Sequence, residues 1–252
     1  MPYIEAVTEA GATIEIERYY SARYGKRGQR RAEKIKATPE EQKAINTRQA
    51  EKKLRRLINA NFTGADYHVV LPYIRKAGQE PRSREDMRED IAKFLRTLRK
   101  AYKAAGQELK YIHVAEIGQK GARHHHIIIN HIDTSEIVKA WPHARAQIFP
   151  LDSSGQYAKL AAYLIKYTDR HIGADDESEL QGKRWNCSRN LKRPETRKRI
   201  ISSRAWYRET PAVPKKYKGR YEIDADSVAV GVHSSEYYGY GYMRFTLVRL
   251  DC

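Results

Sequence analysis

Cysteine is almost missing from this chain. Cys187 and Cys252 are the only two among 252 residues. Two thiols cannot build a four-thiolate zinc site, and their wide separation suggests no disulfide framework. A reducing interior is the expected setting. Acids are scarce as well: 31 Asp and Glu stand against 48 Lys and Arg, for a net charge of +17 and a pI near 9.8. No apolar run approaches the roughly 18 residues of a membrane span. The opening MPYIEAVTEAGATIEIERYY lacks the apolar stretch of a signal peptide. There is no phosphate-cradling GxxxxGK loop, which argues against an ATP-driven motor within this chain, and there are no repeats. These absences predict a cytoplasmic protein without a membrane partner. The excess of positive charge concentrates and steers polyanions. Nucleic acid is the first expectation and an anionic membrane surface the second.

The residues that remain organise into recognisable elements. RYGKRGQRRAEKIK at 23–36 is basic and broken by Gly25 and Gly28, so it predicts a flexible arm able to follow a phosphate backbone. Thr38, Pro39 and Glu41 form the start of a helix with a capping box, and Leu54, Leu57 and Ile58 form its narrow apolar face. YHVVLPY at 67–73 predicts a strand with Pro72 at its end or edge. Ser83 caps an amphipathic helix in which Met87, Ile91, Phe94, Leu95, Leu98 and Tyr102 recur at helical spacing, and Gly106 ends it. LKYIHVAEI at 109–117 and HHHIIIN at 124–130 flank a glycine turn and predict a hairpin. Thr134 opens a short helix to Trp141, AQIFPL at 146–151 predicts a strand, and Ser153 or Ser154 caps a helix reading GQYAKLAAYLIKYT. GADDESE at 173–179 predicts an acidic loop. Residues 183–204 are densely basic, and the tail from about 219 alternates as a hairpin or small sheet. The order of elements predicts an α+β domain, a central antiparallel sheet with helices packed on its faces.

Two patterns carry chemistry. In a strand, residues two apart share a face, so His124 and His126 project together and His125 points the other way. Hairpin pairing brings Glu116 close to His124. Two imidazoles and a carboxylate make a three-ligand metal site with positions open for water or substrate. A solvated histidine patch is the alternative reading of HHH alone. His113 has the opposite parity to Glu116 and is read as structural. The second pattern is the helix. Tyr157, Leu160, Leu164 and Tyr167 form one stripe, and Lys159, Tyr163, Lys166 and Arg170 form a basic neighbour. Tyr163 and Tyr167 are one turn apart and can act as nucleophiles on a phosphate. A free phenol has a pKa near 10, so forming the phenolate at pH 7 costs roughly 4 kcal/mol. A divalent ion and the nearby Lys166 both lower that cost. Packing of both rings in the core is the alternative.

Glu116, the H-x-H strand and the later Y-x-x-K-Y helix, in that order, resemble the HUH endonucleases. The closer likeness is to the two-tyrosine rolling-circle replication initiators of small phages and plasmids. SRNLKRP at 188–194 resembles a segment downstream of their tyrosines, and NTRQAEKKLRRLINANF at 46–62 with YHVVLPY at 67–73 resembles the entry to their first strand. The middle position, usually a hydrophobe, is His125 here, and Arg170 stands where a second lysine is common. The likeness covers roughly 42–200. It implies a ferredoxin-like sheet and a divalent cofactor, Mg or Mn, on Glu116, His124 and His126. It further implies nicking of single-stranded or hairpin origin DNA by Tyr163 or Tyr167, aided by Lys166, through a 5′-phosphotyrosine intermediate and a 3′-hydroxyl that primes synthesis. A host helicase and polymerase in a bacterial cytoplasm would be partners. The domain boundaries so expected are a basic arm at 1–37, the endonuclease domain at 38–204 and a Tyr-rich extension at 205–252. Lys159, Arg170, Lys183, Arg184, Arg189, Lys192 and Arg193 are the expected DNA contacts. Trp185, Trp206 and YYGYGY at 237–242 can stack bases or simply pack a hairpin. A non-catalytic nucleic-acid-binding protein stays open as an alternative, as does a relaxase or transposase using the same chemistry.

Overall fold

The structure is a computed structural model that describes residues 3–21, 24, 38–74, 81–118, 121–168, 183–202, 210–234 and 239–250. The chain divides into two compact units. An α/β unit comprises 45–153 and 157–192, and a β unit comprises 1–44, 154–156 and 193–252.

The β unit is one antiparallel sheet. Its strands are β1 (Tyr3–Ala10), β2 (Thr13–Tyr20), β8 (Thr196–Ile201), β9 (Tyr221–Ser234) and β10 (Gly239–Arg249), in the order β8-β1-β2-β10-β9. The first two strands replace the start of the expected arm. Their alternation in IEAVTEA and TIEIE is that of a half-buried hairpin, and Gly11 takes the positive φ of 59° that the two-residue turn needs. Ile14, Ile16, Met243, Phe245 and Leu247 form the core on one face, against Tyr217. Glu5 is buried on the same sheet. Its register partners Arg18 and Arg199 lie on either side and donate to its carboxylate, each at 2.8 Å. Burial alone would raise the Glu5 pKa, but the two guanidinium groups win and lower it. The tail hairpin is present as expected. Tyr242 lies so close over its partner Gly231 that a Cβ there would meet the ring at 2.8 Å, so at this position the tyrosine packs its own hairpin. The remainder of the basic arm, apart from Tyr24, lies outside the described residues, as do GADDESE, Trp206, Tyr237 and Tyr238.

The α/β unit is built on β3 (Tyr67–Pro72), β4 (Tyr111–Ile117), β5 (Arg123–Ile129), β6 (Gln147–Pro150) and β7 (Asn186–Cys187), ordered β6-β3-β5-β4-β7 and antiparallel throughout. The helices are α1 (Pro39–Asn59), whose residues from Ile45 onward belong to this unit, α2 (Arg84–Ala104), α3 (Thr134–Ala140) and α4 (Ala158–Thr168). The chain is thus α+β, as expected. Ile127 and Ile129 face α2 and α3, while Ile128 faces α1 and α4. All three are fully buried. A strand covered on both faces reads as an unbroken apolar run, and each such isoleucine contributes about 2 kcal/mol. Towards its start the same strand carries histidines, and His125 and His126 are as buried there as the isoleucines.

The helix starts follow local chemistry. Thr38 and Glu41 make the reciprocal capping bonds, at 2.9 and 3.2 Å. Ser83 and Asp86 do the same for α2, and Gly106 (φ 68°) follows its end. For α4 the expected serine cap is not used. Gly155 is left-handed (φ 65°), which keeps the preceding serines out of the helix. The helix starts after Tyr157, whose N–H donates to Asn59 Oδ1 at 3.0 Å.

Candidate metal centre

Register decides the site. In the β4–β5 hairpin Glu116 pairs directly with His124, and Val114 pairs with His126. Parity then puts Glu116, His124 and His126 on the face that carries α1 and α4. The turn stays tight because Gly118 N–H donates to Ala122 O at 2.8 Å and Gly121 adopts φ 73°. Glu116 Oε2 lies 2.6 Å from His126 Nε2 and 3.1 Å from His124 Nε2. All three potential ligand atoms lie within 4.8 Å of one another. Glu116 and His126 are buried, whereas the His124 side chain keeps 18% of its surface exposed. The cluster is therefore sealed on the sheet side and open beside His124. Burial alone would raise the Glu116 pKa, but hydrogen bonds from His124 and His126 outweigh it and hold the carboxyl at about 2. The carboxylate is ionised and ready to ligate at any ordinary pH.

A divalent ion suits this donor set. Two imidazole nitrogens and one carboxylate oxygen leave coordination positions for water or phosphate oxygen, as a catalytic site requires. Nitrogen ligands fit Mn better than Mg, which prefers oxygen.

One neighbour was not visible in the sequence. His68, on β3, lies diagonal to His126 across the β3–β5 ladder. Its Nε2 is 3.1 Å from His126 Nδ1, and the rings stack at 5.2 Å with planes 20° apart. Burial, with a smaller contribution from His126, lowers the His68 pKa to about 4, so the ring is neutral near pH 7. A polar residue inside YHVVLPY was the only hint.

His125 points to the opposite face, as parity requires. Its Nδ1 is 2.9 Å from His113 Nε2, and its Nε2 is 2.9 Å from the Tyr73 hydroxyl. Beyond Tyr73 stands Asp90, bound by Arg82 and by His143 at 3.2 Å. This chain of polar groups under α2 and α3 is a buried scaffold beneath the ligand strand. Burial lowers the pKa of His113 to about 3 and that of His125 well below its usual value. The unfolded chain therefore binds more protons than the folded one below about pH 6.5, and stability is lost as pH falls from there towards 3. At pH 5 His113 alone should cost about 2 kcal/mol. Thermal melts at pH 7 and pH 5 measure this. An unchanged Tm would mean that these rings take up protons without penalty.

The tyrosine helix lies over the same face. The Tyr163 ring centre is 5.4 Å from that of His126, edge-on at 88°, and 6.5 Å from that of His68. Tyr163 is 40% exposed, and Lys159 and Lys166 are exposed as well. Tyr157 and Leu164, from the other stripe, are buried in the core. Tyr167 belongs to α4 by its backbone, while its side chain and Arg170 lie outside the described residues.

Residues 66–172 match the replication-associated protein ORF2/G2P family. That segment runs from just before β3 past the end of α4, so it contains Glu116, His124, His126 and Tyr163. The match supports a replication-initiator role and implies interaction with DNA. No curated protein and no solved structure matches the chain. No described helix is long and apolar enough to cross a membrane.

The basic segment after α4 does not behave as one block. Its residues through Lys192 belong to the α/β unit and those from Arg193 onward to the β unit. Lys183, Arg189, Lys192 and Arg193 are exposed. Arg184 is half-buried and donates to Asn46 O at 2.9 Å. Trp185 packs against the core under α1 and α4, which favours the packing reading over base stacking at that position.

Proposed function

We propose that this chain initiates replication by nicking single-stranded DNA and holding the cut strand on a tyrosine. The observation that carries the reading is the meeting of two independent sequence motifs. The Glu116–His124–His126 cluster comes from a hairpin, the Tyr163 ring from a helix many residues later, and they lie one ring apart. When bound, a divalent ion would polarise a phosphoryl oxygen and favour the phenolate form of a nearby tyrosine. The rest falls to the chain. Tyr163 Oη attacks phosphorus, its proton passing to solvent, and an Oη–P bond forms. The P–O3′ bond breaks, and the 3′-oxygen takes up a proton to leave a free hydroxyl. The phosphotyrosine conserves the bond for rejoining, so the chemistry needs no ATP. Lys166, one turn-edge from Tyr163, stabilises negative charge there. Tyr167 is the candidate for the second transfer. Exposed Lys159, Lys183, Arg189, Lys192 and Arg193 are proposed to contact phosphates, as are Arg184 and Arg170.

Incubation with labelled single-stranded DNA and Mn²⁺, a denaturing gel and peptide mapping of the shifted species test this directly. A covalent adduct on α4 is expected. Binding that needs no divalent ion and leaves no adduct would instead favour a non-catalytic nucleic-acid-binding protein. Affinity for single-stranded DNA should fall steeply with salt. Six phosphate contacts would weaken binding roughly 300-fold between 50 and 200 mM salt. Fluorescence anisotropy across that range measures the slope, and a flat response would exclude the basic side chains as the main contacts.

A further inference from the structure

His126 is engaged at both ring nitrogens. Nε2 faces Glu116 at 2.6 Å, and Nδ1 faces His68 Nε2 at 3.1 Å. An imidazole ligates a metal through a lone pair, so the proton of the neutral ring must sit on the other nitrogen. With the ion on Nε2, the His126 proton is on Nδ1, and an acceptor must stand opposite it. His68 Nε2 is that acceptor, which fixes His68 as the Nδ1–H form. His68 does not itself complete the ligand set. Its Nε2 is occupied by His126, and it is not among the three residues whose ligand atoms converge.

The strand pairing explains why it can do this. β3 pairs with β5 so that Val70 opposes His126 and His68 opposes Ile128. His68 and His126 are therefore diagonal neighbours on one face, within reach of each other's rings. The same His68 ring meets Tyr163 edge-on at 6.5 Å. It touches both halves of the site.

We infer that His68 is a positioning residue of the metal centre: it accepts the Nδ1–H of His126, aims His126 Nε2 at the ion and sets the ring against which Tyr163 rests. The inference rests on the metal-centre reading above. Partners of this kind tune metal affinity by about 10–100-fold.

The test is Mn²⁺ binding by EPR titration of the full chain without DNA, using His68→Leu and His68→Gln. Leucine removes the acceptor and keeps much of the volume. Glutamine offers an oxygen near the place of Nε2. His68→Leu should weaken Mn²⁺ binding about 10–100-fold, and His68→Gln should stay within about three-fold of the unaltered chain. Melting temperature and single-stranded DNA binding in EDTA should move little in either, which a purely structural role would not allow. Equal Mn²⁺ affinity in the leucine variant and the unaltered chain overturns the inference and leaves the metal centre standing. If the leucine variant does not fold, the glutamine variant decides: a loss of more than three-fold overturns the inference. No Mn²⁺ binding by the unaltered chain overturns the metal centre and this inference with it.

Discussion

Replacing His126 with alanine should abolish Mn²⁺-dependent cleavage of single-stranded DNA while leaving metal-free DNA binding largely intact. The imidazole is as deeply buried as Glu116, from which it lies 2.6 Å away. Its loss leaves one carboxylate and one partly buried imidazole, too few donors to hold a catalytic ion. A bound ion supplies several kcal/mol of transition-state stabilisation, so the rate should drop by about a thousand-fold or more. The DNA contacts are proposed to lie on exposed cations of other segments, so affinity in EDTA should hold. The substitution also leaves Glu116 buried with one hydrogen-bond donor fewer, and its pKa should rise. A melting curve on the variant separates that cost from the loss of chemistry. Cleavage at the original rate in a folded His126→Ala protein would remove the metal centre from the mechanism.

Tyr163→Phe has the second large effect. Phenylalanine keeps the ring beside His126 and His68 and deletes only the hydroxyl. DNA binding, metal binding and stability should all stay close to those of the unaltered chain. The covalent protein–DNA adduct should vanish, or move to Tyr167. Mass spectrometry of the adduct peptide distinguishes these. An adduct that survives on any residue outside α4 would sink the assignment of this helix as the source of the nucleophile. The preference for Tyr163 as the first nucleophile rests on its place beside His126 and on the exposed lysines that flank it, Lys159 and Lys166.

The two effects differ in kind, which makes them useful together. The histidine change should prevent metal binding and with it every step of the proposed cleavage. The tyrosine change should remove one proposed bond-forming atom and leave metal binding intact. A double variant should therefore be no worse than His126→Ala alone.

Much of the α/β unit could be read from residues in order, because its determinants are local. The capping boxes at Thr38 and Ser83, the helical spacing of α2 and the glycine turn between β4 and β5 each depend on a few neighbours. Glu116 opposite His124 followed from strand parity and a short hairpin, where pairing register is nearly forced by the turn. Ser153 and Ser154 fit a cap of α4 by spacing alone, but Gly155 takes a left-handed φ that the sequence permits and does not demand. The opening strands were hidden differently. Their alternation was present, but a hairpin's place in a sheet depends on partners far along the chain. β1 and β2 pair with β8 and β10, more than a hundred residues away.

Period and nearest neighbours alone dictate the residue types of the Glu116–His124–His126 cluster, their shared face and the order of strand, hairpin and tyrosine helix. Long-range packing is what sets Tyr163 beside His126, places His68 behind that imidazole and joins β1 and β2 to β8 and β10 in one sheet. Those contacts join segments separated by long stretches of chain, and their distance is set by how the sheet and helices pack, which no local pattern encodes.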